Sequence, residues 1–87
     1  MTTMAKQITQ KLTMAFSPTT IHVVDQSHLH AGHAGARKGG ESHFALQITA
    51  AAFSGLTLLA RHRAINQVLA EELAGQVHAL TIQAEGL

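Results

Sequence analysis

The stretch Phe44-Ala45-Leu46-Gln47-Ile48-Thr49 decides how the rest of the chain is arranged. Phe44, Leu46 and Ile48 alternate with Ala45, Gln47 and Thr49. Successive side chains of a strand point to opposite faces, so this is a β-strand with one buried face. Upstream, Ile21-His22-Val23-Val24-Asp25 is short, β-branched and placed after Pro18, which makes it a strand expected to pair with 44–49 as an open hairpin. Earlier still, Met4, Ile8, Leu12 and Phe16 recur every four residues, with Lys6, Gln7, Gln10 and Lys11 mostly on the other side. That spacing predicts an amphipathic helix halted by Ser17-Pro18. Downstream, Phe53-Ser54-Gly55 breaks the strand, and Leu58, Leu59, Ile65, Val68, Leu69 and Leu73 return at helical spacing, predicting one long helix over about 57–73. Gly75 is its stop, and residues 77–84 close the chain as a third strand with His78, Leu80 and Ile82 on one face. The order is α-β-β-α-β, an α+β chain with no internal repeat.

The 87 residues are expected to form one domain, 1–87, of a size at which a single core is adequate but marginal. There is no cysteine, so packing must supply the stability and no disulfide contributes. The formal charge of +1 gives no sign of a nucleic-acid or membrane tether. No stretch approaches the roughly 20 apolar residues that span a bilayer, and the N-terminus leads into an amphipathic pattern without an apolar leader. A soluble, cytoplasmic protein with no membrane association is the expectation.

Chemistry concentrates in the histidines. Four of the seven lie in or beside one segment, Ser27-His28-Leu29-His30-Ala31-Gly32-His33 running on to Ser42-His43-Phe44. Residues from about 26 to 42, rich in His, Gly and Ala and carrying Arg37-Lys38-Gly39-Gly40, have the composition of a mobile loop. A loop above roughly 12 residues in a compact domain is usually functional or disordered, which makes this the first place to look for a site. Imidazole is a common ligand of borderline metals, but the thiolates that complete most zinc and iron-sulfur sites are missing. A tightly held metal centre would take its sulfur from another molecule. His43 is expected on the opposite face from Phe44, in a structural or hydrogen-bonding role. Arg61-His62-Arg63 sits in the first turns of the long helix, where two arginines oppose the helix dipole and call for an explanation. One explanation is a solvated basic turn. The other is a docking surface, with Arg63 and Asn66 on neighbouring helix positions and guanidinium groups that grip carboxylates. Asp25, Ser27 and His28, or Ser42 and His43, are adjacent in sequence, an arrangement that rarely gives the positioned nucleophile, base and orienter of a catalytic triad. The chain is not expected to be an enzyme.

Together these residues resemble the BolA family over nearly the whole chain. The resemblance is carried by Val24-Asp25-Gln26-Ser27 before the loop, by His30 with Gly32-His33 inside it, and by Ser42-His43-Phe44 opening the second strand. It continues through Phe53-x-Gly55, Arg61-His62-Arg63-x-Ile65-Asn66, Leu69-Ala70-Glu71-Glu72-Leu73 and Val77-His78-Ala79-Leu80. Gln26 departs from the family pattern, which usually has an acidic residue there. The resemblance implies a fold akin to class II KH domains, with a three-stranded mixed sheet backed by helices. It also implies a heterodimer with a monothiol glutaredoxin that shares a 2Fe-2S cluster. The glutaredoxin cysteine and a glutathione thiolate would supply sulfur, and His78, at the start of the last strand, would supply an imidazole. A second ligand would come from the loop, with His30 the aligned candidate and His33 its competitor. No cofactor is expected in the isolated protein, and a weak homodimer is compatible with the family. An imidazole in place of a thiolate removes negative charge and makes the ligand protonatable, which suits a labile cluster.

The rival reading is a DNA-binding transcriptional regulator on the KH-like fold. Arg61, Arg63, Arg37 and Lys38 are its phosphate contacts. Gly32-His33-Ala34-Gly35 has the spacing of a KH clamp, but it lies between strands, whereas the clamp joins two helices. The only aromatics, Phe16, Phe44 and Phe53, occupy apolar or strand-end positions and form no base-stacking platform.

Overall fold

The fold is taken from a computed structural model, which describes residues 3–26 and 43–87. Helix α1 spans Met4–Phe16. Thr3 caps it, its side chain accepting from the Lys6 N–H at 3.2 Å, which satisfies one of the donors left open at a helix start. Ser17 ends it in the left-handed region (φ 46°), with its N–H donating to the Thr13 carbonyl at 2.9 Å. Pro18 cannot continue the helix.

Strand β1 (Thr20–Asp25) pairs antiparallel with β2 (His43–Thr49), and β2 pairs parallel with β3 (Ala79–Glu85), so β2 is central in a mixed sheet of order β1-β2-β3. Between β2 and β3 come a single 3-10 turn (Ala51–Phe53), helix α2 (Leu58–Val68) and a short helix α3 (Ala70–Ala74). Val23 opposes Leu46 and Leu46 opposes Ile82 across the strands. This register sets Phe44, Leu46 and Ile48 beside Ile21, Val23, Leu80, Ile82 and Ala84 on one face. Ile8 and Leu12 of α1, Phe53 of the 3-10 turn, and Ile65 and Leu69 complete the core against that face. The other face is polar: Gln47 Nε2 donates to Gln83 Oε1 at 3.1 Å in the open. Among the described residues no helix is long and apolar enough to cross a membrane.

Three expectations are corrected. The long helix is broken at Leu69, where the backbone opens to φ −99°, ψ 19° without proline or glycine. The redirected turn buries both Leu69 and Glu72 and carries Glu72 to α1. Leu58 and Leu59, expected in the apolar stripe, are 65% and 59% exposed. Leu58 lies one heptad before Ile65 on the same stripe, so its direction is right, but the first turn of α2 overhangs the core layer. Leu59 falls on the exposed side with Asn66. The third strand begins at Ala79, two residues later than expected, which leaves His78 ahead of it.

Candidate functional site

His78 is held by what precedes and follows it. After α3, the Gly75 N–H donates to the carbonyls of Glu71 and Glu72, and the Val77 N–H donates to the Glu72 carbonyl at 2.9 Å. Val77 is buried, and Ala79 is in register with His43 of the central strand. The backbone is therefore fixed on both sides of His78 while its side chain is exposed. The sequence groups His78 with Leu80 and Ile82 on one face; those two are half-buried, and His78 stands outside the strand in solvent.

The neighbour it meets is His43. Strand alternation does put His43 and Phe44 on opposite faces, yet both are buried. The His43 and His78 ring centroids are 5.5 Å apart with planes tilted by 52°. The Gln26 N–H donates to the His43 carbonyl at 2.8 Å, so the two ends of the segment between β1 and β2 meet at this same end of the sheet. His30 and His33, the expected loop ligands, and Arg37 and Lys38, the expected docking or phosphate contacts, belong to that segment and lie outside the described residues. Sequence reasoning missed the His43–His78 pair because only the parallel register of β2 with β3 brings the two strand starts together.

Support for His78 reaches back to α1. Glu72 is 3% exposed; its Oε2 accepts from Gln7 Nε2 at 2.6 Å and pairs with Lys11 Nζ at 2.7 Å. Burial by itself would raise the Glu72 carboxyl, but the hydrogen bonds from Lys11 and Gln7 outweigh it and hold the group below the usual carboxylate range. The Lys11 ammonium is raised chiefly by its hydrogen bond to Glu72. Oε1 of Glu72 is buried with no partner among the described residues. Thus Gln7 and Lys11, expected on the solvated side of α1, lock α3 onto it, and α3 in turn carries Val77.

Arg61, His62, Arg63 and Asn66 form a separate region. Arg61 Nε donates to the Phe53 carbonyl at 3.1 Å and Nη1 to the Ala84 carbonyl at 3.0 Å. Ala84 is six residues along β3 from His78, about 20 Å at strand rise. Arg61 and His78 are thus at opposite ends of the sheet and do not share one site. The unfavourable arginine in the first turns of α2 has its explanation here: the guanidinium ties that turn to the 3-10 turn and to the end of β3. Arg63 and Asn66 are exposed, and His62 is half-buried. At the end of the sheet away from His43, the open face carries a shallow depression lined by Thr20, His22, Gln47, Thr49, Gln83 and Glu85. Among the described residues no three His, Asp or Glu side chains gather to hold a metal ion.

The sequence and the fold as a whole resemble known proteins. The family model described as BolA-like protein matches residues 12–86. The chain is 41% identical over 75 residues to the DNA-binding transcriptional regulator BolA of Vibrio cholerae, a match covering 86% of this chain and 67% of that protein. It is 47% identical over 77 residues to BolA-like protein 1 of Pongo abelii, covering 88% and 53% respectively. Among solved structures, the BolA domain of SufE1 from Arabidopsis thaliana superimposes with a TM-score of 0.86 at 38% identity, covering 99% of this chain and 94% of that one. The α-β-β-α-α-β order, the mixed sheet and a sequence match running from α1 to the end of β3 lead to one assignment: the chain belongs to the BolA-like family.

Proposed function

We propose that this chain is a non-enzymatic adaptor that binds a monothiol glutaredoxin and shares with it a glutathione-ligated 2Fe-2S cluster, acting in iron-sulfur cluster trafficking or in iron sensing. The observation that carries the reading is the exposed His78 imidazole on backbone anchored at both neighbours, by Val77 to Glu72 and by Ala79 to β2. A ligand offered to a partner's metal centre needs that combination of access and fixed backbone. The donor set fits a shared centre: imidazoles are present, and no cysteine is available to hold a cluster alone. In this reading His78 is one ligand and His30 or His33 the other. The cluster, when bound, supplies one-electron chemistry, and this chain's part is to hold an imidazole in place and to dock.

The test is titration of the protein into a glutathione-loaded 2Fe-2S monothiol glutaredoxin, followed by visible circular dichroism. With no Trp or Tyr, this chain adds almost nothing to that signal. A new spectrum saturating at equimolar ratio and lost in His78→Ala supports the reading, and His30→Ala and His33→Ala rank the loop ligands. An unchanged spectrum with the wild type overturns it.

A second reading, DNA binding, is favoured by the similarity to the DNA-binding transcriptional regulator of Vibrio cholerae and by the exposed Arg63 and Asn66 on α2. Arg37 and Lys38 would add phosphate contacts. Binding of this kind should survive His78→Ala and weaken steeply with salt.

A further inference from the structure

We propose that the start of α2 and the residues beside it form a docking surface for an acidic amphipathic helix of a partner protein, with leucine-type side chains along one stripe and carboxylates on its flank. Among the described residues six large apolar side chains are exposed, and four of them, Leu56, Leu58, Leu59 and Leu87, belong to one end of the fold. The other two, Met14 and Val24, are scattered single residues of the kind that needs no explanation. A group does: exposed apolar surface gathered in one place and rimmed by polar side chains marks an interaction site.

The group is held rigidly. Ser54 Oγ donates to the Leu87 carbonyl at 3.0 Å and accepts from the Leu87 N–H at 2.9 Å, which sets Leu87 beside the turn that leads through Gly55 to Leu56. Gly86 comes so close that a Cβ on it would lie 2.7 Å from Ser54 Cα. Thr57 accepts from the Ala60 N–H at 3.1 Å and caps the turn that carries Leu58 and Leu59, and Arg61 ties that turn to the Phe53 and Ala84 carbonyls. A surface preorganised in this way loses little freedom when it is covered.

Charge selects the occupant. At helical spacing Leu58, His62, Asn66, Leu59 and Arg63 fall in that order across one arc of about 140°, so a basic edge runs beside the leucines. Helix α2 contains no Asp or Glu, and the exposed Arg63 makes no ion pair among the described residues. A covering helix therefore meets apolar surface with positive charge on one flank, which carboxylates match. A second copy of this chain fits badly, because a two-fold pairing of the patch sets Arg63 and the positive start of α2 against their own copies. Nucleic acid would use Arg63 and gain nothing from the leucines. The surface lies at the end of the sheet opposite His78 and needs neither cluster nor glutaredoxin, so it and the cluster reading fail separately.

The experiment selects from a random library of peptides of about 16 residues, some four helical turns, displayed on phage. The target is the full-length wild type, and Leu58→Gln/Leu59→Gln is the counter-target. The enriched peptide is then synthesised with a fluorophore and its binding measured by anisotropy. Enriched sequences should carry Leu, Ile or Phe at helical spacing together with Asp or Glu. Binding should weaken about tenfold or more in Leu58→Gln/Leu59→Gln and about threefold or more in Arg63→Gln, and should stay within about twofold in His78→Ala. Amide NMR of the wild type should show the shifts on peptide addition gathering at residues 56–63, which keeps the test decisive if the double variant disturbs the fold. No enrichment over the counter-target, enriched sequences without acidic residues, or shifts located elsewhere would each overturn the proposal. So would a wild type that sediments as a dimer broken by the leucine changes, or that binds phosphatidylglycerol vesicles through those leucines, since the surface would then belong to a second copy or to a membrane.

Discussion

Replacing Arg61 separates its structural role from any docking role of the Arg-His-Arg motif. The guanidinium makes two half-buried hydrogen bonds, to the carbonyls of Phe53 at 3.1 Å and Ala84 at 3.0 Å, and so joins three parts of the chain. A hydrogen bond from a charged donor contributes roughly 1.5–3 kcal/mol when its partner is left dry, and less where water can replace it. At a half-buried position the lower end applies, giving about 2–3 kcal/mol for the pair in Arg61→Met, which keeps most of the stem's packing. For a domain of this size each kcal/mol corresponds to about 4–8 °C in Tm, so we predict a fall on the order of 10–20 °C. Arg61→Lys should recover roughly half, because one ammonium cannot span both carbonyls in the manner of a planar fork. Thermal unfolding followed by far-UV circular dichroism is the assay, since the chain has no Trp or Tyr for fluorescence. Arg63→Met, on an exposed side chain, serves as the control and should stay within about 0.5 kcal/mol of the wild type. If Arg61→Met melts within 2 °C of the wild type, roughly the change a neutral surface substitution gives, the reasoning fails and the motif's arginines are equivalent surface charges.

Glu72 should make stability fall in acid. Its carboxyl is held below the usual range in the folded protein, so its contribution is complete above the unfolded value of about 4.3 and is lost as pH falls below that, through the lowered folded value. Urea midpoints measured from pH 7 to pH 3 should therefore converge for the wild type and Glu72→Gln at the acid end; parallel lines across that window would contradict the assignment. Leu58→Lys and Leu59→Lys, which helical periodicity alone would rank as damaging core changes, should each shift stability by no more than about 0.5 kcal/mol. A loss of 2 kcal/mol or more in chemical denaturation, the scale of a buried leucine, would mean that those side chains are covered in solution.

The legible parts of the sequence were those written in local period. Ile8 and Leu12 on α1 and Phe44, Leu46 and Ile48 on β2 emerge as core from spacing alone, and all five are at most 2% exposed. Spacing misled at Leu58, where a stripe continues past the end of the layer it packs on, and at Leu69, where nothing local marks the break. The site was half legible. His78 was singled out by a resemblance to a family motif, and the exposure that suits a ligand was not visible in an apolar-looking strand pattern. Arg61 was rightly marked as needing an explanation, but its partners, Phe53 and Ala84, are 8 and 23 residues away.

By itself the sequence determined the element types, the faces they bury, the absence of thiolate chemistry and the family. Periodicity, residue chemistry and motif order are properties of neighbouring residues, and they survive without a folded chain. Only the tertiary structure decided that Glu72 locks onto Gln7, 65 residues away, that Arg61 and His78 stand at opposite ends of the sheet, and that His43 and His78 touch. Each of these depends on the parallel pairing of β2 with β3 and on how α1 and α3 pack, which no local pattern encodes.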